Sequence, residues 1–266
     1  MKGKFFIVII CGILLGCGEK KCNIEQGSDV EKLLFNVGGV EFSLVRVEPG
    51  TFVMGDNGNF FRKPAIGSKP AHKVTISKAF YIGQTEVTQE LYAEVMGDNP
   101  SNYYECPNLP VEHVSYNNAV AFCKRISAIL GKTFTLPTEA QWEYASLDGN
   151  LGLNKKKKFS GCNDIDDVGW YFGNSEFKTH EVAMKKPNKL GVYDMTGNVC
   201  EWCLDTYDIY PDKELVDPCV LTSSKSNVYR GGAWLFKDKM CQIKQRYMDE
   251  PNFKSDYLGF RIVMIP

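Results

Sequence analysis

Histidine is scarce in this sequence of 266 residues, where it occurs only as His72, His113 and His180. No two of these residues lie three or four positions apart, so none form a pair that could bind a metal from one face of a helix. Basic residues are not in excess either, since 31 Lys and Arg stand against 32 Asp and Glu. That balance argues against a nucleic-acid partner, which requires an electropositive surface.

Long apolar segments are missing as well. The apolar run from Phe5 to Leu15 is too short for a transmembrane helix, which needs about 20 residues. It follows two lysines and ends in LLGC, as in a secretory signal with a bacterial lipobox. We therefore expect a signal peptide over residues 1–16 and acyl chains such as palmitate on Cys17, which would anchor the protein at a membrane outside the cytoplasm. An ordinary signal peptide with an incidental cysteine is the alternative.

Cysteine, by contrast, is abundant, with ten residues in the chain. Setting aside Cys11 and Cys17 leaves eight of the ten, and an even number outside the cytoplasm permits disulfides. Cys200 and Cys203 form a C-x-x-C, but a redox motif of this kind sits at the start of a helix that follows a strand. The spacing of the cysteines does not fix which of them pair.

The mature chain divides into a polar tether, residues 17–36, and one folded domain, residues 37–266. A first short helix is the alternative for the tether. Apolar alternation predicts strands at 40–47, 51–54, 72–76 and 79–82. Capping residues predict three helices that begin after Thr88, Ser115 and Thr138. Glycine, asparagine and short apolar pieces dominate beyond Ser146, which indicates a loop-rich α+β domain.

Seven blocks of the domain resemble the formylglycine-generating enzyme family, also called the sulfatase-modifying factor family. They are GTFVMG (50–55), PAHKVTISKAFYIGQTEVTQELY (70–92), PVEHVSYNNAVAFC (110–123), LPTEAQWEYAS (136–146), NKLGVYDMTGNVCEW (188–202), RGGAW (230–234) and LGFR (258–261). The resemblance implies a single domain related to C-type lectin folds, with little regular secondary structure. It covers nearly the whole predicted domain.

Members of this family oxidise a client cysteine to formylglycine with O2 and a copper(I) ion, which two thiolates bind in the pattern RGGSWxCxxxxC. Here the stretch reads RGGAWLFKDKMC, so Cys241 matches the second cysteine while Phe236 and Ala233 replace the first cysteine and the serine. A single thiolate does not make the two-sulfur site that copper(I) favours, so we do not expect copper. A second branch of the family binds iron through paired histidines, which this chain lacks.

The resemblance also implies structural Ca2+, bound by side-chain and carbonyl oxygens. The ligands of one site match Asp194, Gly197, Val199 and Glu201. The beginning of a second site matches Asn174 and Ser175, but the rest of that site is not recognisable. A turn stabilised by Asp194 and Glu201 without metal is the alternative.

Other residues of the matching blocks are expected to be structural. The tryptophans predicted in the core or the cleft wall are Trp142, Trp170, Trp202 and Trp234. Arg230 and Arg261 are predicted to form buried ion pairs or to bind backbone carbonyls. Because the resemblance places the blocks of Cys203 and Cys241 next to each other, it implies a disulfide between these two residues.

The sequence thus predicts a lipoprotein of the cell envelope, at the cell surface or facing the periplasm, whose domain has diverged from formylglycine generation. It would bind a protein, peptide or glycan in the former substrate cleft, or belong to an envelope assembly. The alternative is a metal- and O2-dependent oxidoreductase that uses Cys241 together with Cys200 or Cys203.

Overall fold

The computed structural model describes residues 30–57, 68–152 and 157–266. The predicted signal peptide, Cys17 and most of the predicted tether lie outside these ranges. The strands are β1 Lys32–Val37, β2 Val40–Val47, β3 Gly50–Met54, β4 His72–Ile76, β5 Phe80–Gly83, β6 Thr133–Thr135, β7 Cys200–Thr206, β8 Leu215–Val216, β9 Asn227–Arg230, β10 Tyr247–Asp249, β11 Leu258–Gly259 and β12 Val263–Ile265. The helices are α1 Gln89–Met96, α2 Tyr116–Leu130, α3 Glu139–Ser146 and α4 Ile165–Val168, with 3-10 turns at Gly149–Gly152 and Asp238–Cys241.

Three small sheets organise the described part of the domain. The first has the order β1-β2-β5-β12-β6, the second β10-β9-β7-β11 and the third β3-β4-β8. The last strand, β12, returns to the first sheet and pairs antiparallel with both β5 and β6. The long connections between the short strands confirm the predicted loop-rich α+β domain. In the described residues, no helix is long and apolar enough to cross a membrane.

The folded domain begins earlier than predicted. Lys32–Val37 pairs antiparallel with β2, so the predicted tether over 17–36 is wrong from Lys32 onwards. The rings of Phe35 and Phe42 stack 5.3 Å apart across the two strands, which gives β1 an apolar face to bury. The sequence favoured a polar tether because charged residues surround this short apolar segment.

The three predicted helices are confirmed together with their caps. Thr88 accepts a hydrogen bond from a backbone N–H of the first turn of α1. Ser115 and Thr138 form capping boxes at the starts of α2 and α3. Gly97 and Gly131 end α1 and α2 in the left-handed conformation that glycine adopts without strain.

The buried hydrophobic residues form two clusters, and β7 contributes side chains to both. Cys200 and Trp202 belong to the cluster beneath α1 and α2. Cys203 belongs to the cluster beneath α3, because successive side chains of a strand point to opposite faces. Cys241 lies in the first cluster, and both Cys203 and Cys241 are free thiols. The predicted disulfide between them is therefore wrong.

Candidate functional site

Cys241 lies at the end of the 3-10 turn Asp238–Cys241 and is fully buried. Its thiol is 3.9 Å from the carbonyl oxygens of both Ala233 and Phe236, which serve as weak acceptors. Burial raises the pKa of Cys241 to about 12, so the thiol stays protonated at neutral pH. Since the thiolate is the reactive form of cysteine, this environment does not activate the thiol of Cys241.

An aromatic ring fills the position for which the resemblance implies the first copper ligand. Phe236 is 9% exposed, and its ring lies 5.2 Å from that of Tyr257 and 5.4 Å from that of Tyr247. Positions 236 and 241 together supply one sulfur atom. The family's copper-binding pattern is thus incomplete at this site.

A second thiol belongs to the same core cluster as Cys241. Cys200 is the first residue of β7 and is fully buried. Burial, followed by the nearby Cys241, raises the pKa of Cys200 well above its ordinary value. Of the two partners that the sequence left open for Cys241, Cys200 lies in the same core cluster as Cys241, and Cys203 lies on the opposite face of β7.

Of the predicted calcium ligands, Asp194 has a buried oxygen without a partner. Its Oδ2 accepts a hydrogen bond from the N–H of Ala183 at 2.7 Å, whereas its Oδ1 has no hydrogen-bond partner. Its backbone is left-handed, with φ of 58°. Burial raises the pKa of this carboxyl to about 6. A buried carboxylate oxygen without a donor is a suitable ligand for a hard cation.

Glu201 already has partners inside the protein. Its two oxygens accept hydrogen bonds from Arg261, and Oε2 also accepts one from the indole N–H of Trp142 at 2.6 Å. The predicted ion pair of Arg261 is thereby confirmed. Arg230 likewise pairs with Glu139, at 2.9 Å, and with Glu143.

A third carboxyl group, which the sequence did not single out, completes this cluster. Glu86 is buried and accepts hydrogen bonds from the side chain of Asn198 at 2.8 Å and from the N–H of Val199 at 3.0 Å. Burial, followed by the charges of Asp194 and Glu201, raises its pKa well above the ordinary value. Three carboxyl groups thus surround the single guanidinium of Arg261, and either protonation or a bound cation offsets the excess negative charge.

The other predicted calcium ligands have structural contacts. Gly197 adopts φ of 75°, and a Cβ there would lie 2.0 Å from the carbonyl oxygen of Trp170. The amide of Asn174 donates to Asp166 and to the carbonyl of Gly169, while Ser175 donates to the carbonyl of Trp234. In the part of the chain that the structure describes, no group of three or more His, Cys, Asp or Glu side chains is arranged to bind a metal.

A surface rich in aromatic side chains lies beside Phe236. We call it the aromatic face, and it consists of Tyr103, Phe172, Phe177, Trp234 and Phe236. Phe172 and Phe177 are exposed by 47% and 63%. The ring of Tyr103 meets Trp234 edge-on at 5.6 Å, and the N–H of Phe172 donates to the carbonyl of Phe236. The exposed rings of Phe172 and Phe177 therefore lie on a segment that is hydrogen-bonded to the position of the family's first cysteine.

The loop that carries Phe177 has an unusual backbone. Glu176 and Phe177 are consecutive residues with positive φ, 54° and 59°, although neither is glycine. Such a conformation costs about 1–3 kcal/mol per residue and persists only where the surroundings impose it. Ser175 anchors the loop through a 2.7 Å hydrogen bond to the carbonyl of Trp234 and accepts one from the N–H of Phe177. The exposed ring of Phe177 (5.3 Å from that of Phe172) is thus fixed in position.

Comparison with protein families identifies the domain. Residues 40–265 match the model of the sulfatase-modifying factor enzyme 1-like domain. The chain belongs to this family. The match begins with β2 and extends through β12, so it includes every described strand except β1.

The names of known relatives of this sulfatase-modifying factor domain describe different activities. The chain is 29% identical over 274 aligned positions to the chaperone protein LppX of Paenibacillus barcinonensis, covering 84% of this chain and 90% of that protein. It is 32% identical over 174 positions to the formylglycine-generating enzyme of Streptomyces coelicolor, covering 58% of this chain and only 52% of that enzyme. Among solved structures, Treponema denticola variable protein 1 has 31% identity and a TM-score of 0.80, with coverage of 88% of this chain and 99% of that chain.

The family motifs identified the sulfatase-modifying factor domain but not its aromatic face. Trp142 and Trp202 are fully buried, as predicted, and Trp234 is nearly buried beneath Tyr103. Phe172 and Phe177, in contrast, lie outside the seven blocks, in a segment without helical or strand periodicity. The only signal that could have found them is an aromatic residue within a run of polar loop residues.

Proposed function

We propose that this protein is a lipid-anchored protein of the cell envelope whose sulfatase-modifying factor domain binds extended polypeptide on its aromatic face. The observation that carries the proposal is the pair of exposed rings, Phe172 and Phe177, on the segment that is hydrogen-bonded to Phe236. The domain then acts as a chaperone-like binding module, and formylglycine generation has been lost.

The chemistry of the aromatic face favours a polypeptide partner. Aromatic side chains provide large contact areas and are enriched among the residues that dominate protein–protein binding. Contiguous exposed apolar side chains are uncommon on soluble proteins unless a partner covers them. Because the loop of Phe177 is already fixed by Ser175, less conformational entropy is lost when a partner binds.

The environment of Cys241 supports the loss of the family's oxidation reaction. Phe236 and Ala233 take the places of a thiol and a hydroxyl group, and the buried Cys241 thiol is protonated at neutral pH. A protonated, enclosed thiol neither attacks a client cysteine nor forms a mixed disulfide with it.

The relatives support the same assignment. LppX, whose name describes a chaperone, matches over 90% of its own length, whereas the Streptomyces enzyme matches over 52%. The chain spans about half of the length of that enzyme. The enzyme's activity is therefore weaker support for the function of this chain than the chaperone role in the name of LppX.

Two assays on the mature protein test this function. In the first, the protein is applied to an array of overlapping peptides from exported proteins and to a glycan array; we expect many peptides rich in aromatic and aliphatic residues to bind. Binding to glycans alone would overturn the assignment. In the second, a peptide with the CxPxR motif is incubated with the protein, copper(I) and O2, and its mass is expected to stay unchanged. The mass loss of formylglycine formation would restore the enzyme.

The proposed anchor rests on the sequence LLGC that ends at Cys17. Cells that express the full chain are labelled with a palmitate analogue, and the labelled protein is expected in the membrane fraction. The Cys17→Ala variant should lose the label. A wild-type chain that is secreted unlabelled would contradict the anchor.

We also propose that the domain binds Ca2+ at Asp194, with the carbonyls of Gly197 and Val199 as further ligands. The support is the partnerless Oδ1 of Asp194 and the excess of carboxyl groups around Arg261. The ion would supply positive charge to this cluster. Glu201, Asn174 and Ser175 are left out of the proposal, since their side chains already have hydrogen-bond partners within the protein.

A further inference from the structure

We propose that Glu112 is a positioning residue of the aromatic face, which holds Tyr103 in place and thereby makes polypeptide binding depend on pH. The inference rests on the proposed function, because it concerns the regulation of the same surface. Two observations carry it: the hydrogen bonds of the Glu112 carboxyl group to the segment of Tyr103, and the buried oxygen of that group that has no partner.

Glu112 holds the short segment 101–103, which carries Tyr103. Its Oε1 accepts hydrogen bonds from the N–H groups of Asn102 and Tyr103, the second at 2.8 Å. The hydroxyl group of Ser101 accepts a hydrogen bond from the N–H of Glu112 at 3.2 Å, which ties the two backbones together. The segment belongs to neither a helix nor a strand, so its position depends on side-chain contacts of this kind.

Tyr103 connects this segment to the rest of the aromatic face. Its ring meets that of Trp234 edge-on at 5.6 Å. The carbonyl oxygen of Trp234 binds the hydroxyl group of Ser175, which in turn accepts the N–H of Phe177. Displacement of Tyr103 would therefore take one ring out of the aromatic face and uncover Trp234, beside the loop that presents Phe177.

The surroundings of Glu112 disfavour the ionised form of its carboxyl group. The side chain is fully buried, and its Oε2 has no hydrogen-bond partner among the described residues. Burial raises the pKa of Glu112 to about 7, and the negative charge of Asp256 acts in the same direction. A buried carboxylate oxygen without a donor is costly, so ionisation of Glu112 favours any movement that admits water.

Three ionisable side chains surround the carboxyl group of Glu112. Tyr103 lies on the segment that Glu112 holds, and His113 is the next residue in the chain. Asp256 lies on the segment before β11, where the carbonyl of Ser255 accepts the N–H of His113 at 2.9 Å. The imidazole of His113 is the one group of the three that can become positive, but its Nδ1 lies 3.5 Å from a side-chain amide. The described residues thus give the carboxylate no cationic partner.

The direction of the pH effect follows from the proton balance of Glu112. When segment 101–103 opens, water reaches the carboxyl group and its pKa returns towards about 4.3. Between about 4.3 and about 7, the closed segment holds a proton that the open segment has lost, so the closed form is destabilised as the pH rises. Above about 7 both forms are ionised and the effect levels off. Polypeptide affinity should follow the closed form and fall across this window.

The test is equilibrium binding of reduced, carboxymethylated α-lactalbumin to the mature protein at pH 6 and at pH 8. We expect the wild type to bind about threefold or more weakly at pH 8, because the closed segment is then less populated. Glu112→Gln, whose amide oxygen still accepts both N–H groups, should bind like the wild type at pH 6 and lose less affinity at pH 8. Glu105→Gln, at an exposed position of the same loop, is the matched control and should keep the full pH dependence.

The outcomes distinguish this inference from the proposed function. Ionisation of the polypeptide itself affects all three proteins equally, so the comparison between them isolates Glu112. Binding that depends on pH to the same extent in the wild type and in Glu112→Gln, or that does not depend on pH in the wild type, would overturn the role of Glu112 alone. Absence of binding by the wild type at both pH values would overturn the polypeptide-binding face as well.

A second measurement needs neither a polypeptide nor a variant, and it remains decisive if Glu112→Gln does not fold. Hydrogen exchange of the backbone amides of Asn102 and Tyr103 in the wild type is followed by NMR between pH 6 and pH 8 and corrected for the intrinsic exchange rate. Their protection should fall as the pH rises, because opening of the segment becomes easier. Protection that stays constant or increases would overturn the proposal.

Discussion

Arg261 and Glu201 form a two-point ion pair at the centre of the domain, with Nε 2.6 Å from Oε2 and Nη2 2.6 Å from Oε1. Both side chains are fully buried. Arg261 also donates to the backbone carbonyls of Gly83 and Tyr193, and Glu201 accepts from Trp142. The pair thereby joins the end of β5, the loop before Asp194 and helix α3 to strand β7.

The Glu201→Gln variant should be strongly destabilised, because it leaves the guanidinium of Arg261 buried without its counter-ion. Loss of one partner of a buried pair costs about 3–5 kcal/mol. Urea unfolding followed by circular dichroism measures the change. The control is Glu214→Gln in the exposed pair with Lys73, whose loss should leave the unfolding midpoint unchanged. Equal midpoints for both variants would contradict the structural role of the central pair.

Glu112 should make the stability of the domain depend on pH. Burial raises its pKa to about 7, and its Oε1 accepts the N–H groups of Asn102 and Tyr103 while its Oε2 has no partner. Between the ordinary pKa of about 4.3 and about 7, the folded chain holds a proton that the unfolded chain has lost. The free energy of unfolding should therefore fall as the pH rises through this window.

The Glu112→Gln variant should flatten that pH dependence, since the amide oxygen can still accept both N–H groups and no proton is lost. Urea midpoints measured between pH 4.5 and pH 8 give the slope. A residual fall is expected because burial also raises the pKa of Asp205 to about 7. Identical slopes for the variant and the wild type would show that Glu112 ionises normally in the folded protein.

Calcium should raise the melting temperature of the wild-type domain, because an ion that binds only the folded state stabilises it. The Asp194→Asn variant should lose most of this shift, since the partnerless oxygen becomes part of a neutral amide. Differential scanning fluorimetry with added Ca2+ or with EDTA measures the effect. Asp212→Asn, at an exposed position, is the control and should respond to calcium as the wild type does. A calcium shift that survives in Asp194→Asn would place the ion elsewhere.

The sequence predicted those parts of the fold that depend on local signals. Thr88, Ser115 and Thr138 marked the helix starts because capping involves residues only three positions apart. The motifs around Glu201 and Arg261 predicted the family, and with it the fold. β1 escaped prediction because its partner strand and Phe134, against which it packs, provide the stability that its short apolar segment lacks.

The site could be predicted only where it repeats a family motif. The disulfide between Cys203 and Cys241 failed because neighbouring sequence blocks do not reveal which face of β7 each side chain occupies. The exposure of Phe177 depends on two consecutive left-handed residues, which no sequence pattern in the loop indicates.

The most direct test of the proposed function is equilibrium binding of a permanently unfolded polypeptide, such as fluorescein-labelled, reduced and carboxymethylated α-lactalbumin, to the mature protein. Fluorescence anisotropy compares the wild type with Phe172→Ala/Phe177→Ala and with the control Ile209→Ala/Leu221→Ala, whose replaced side chains are 71% and 68% exposed. We predict that the first double variant binds at least tenfold more weakly, since aromatic anchors carry most of the binding energy, while the control binds like the wild type. Equal affinity of all three proteins, or no binding by the wild type, would contradict the aromatic face as a polypeptide-binding site.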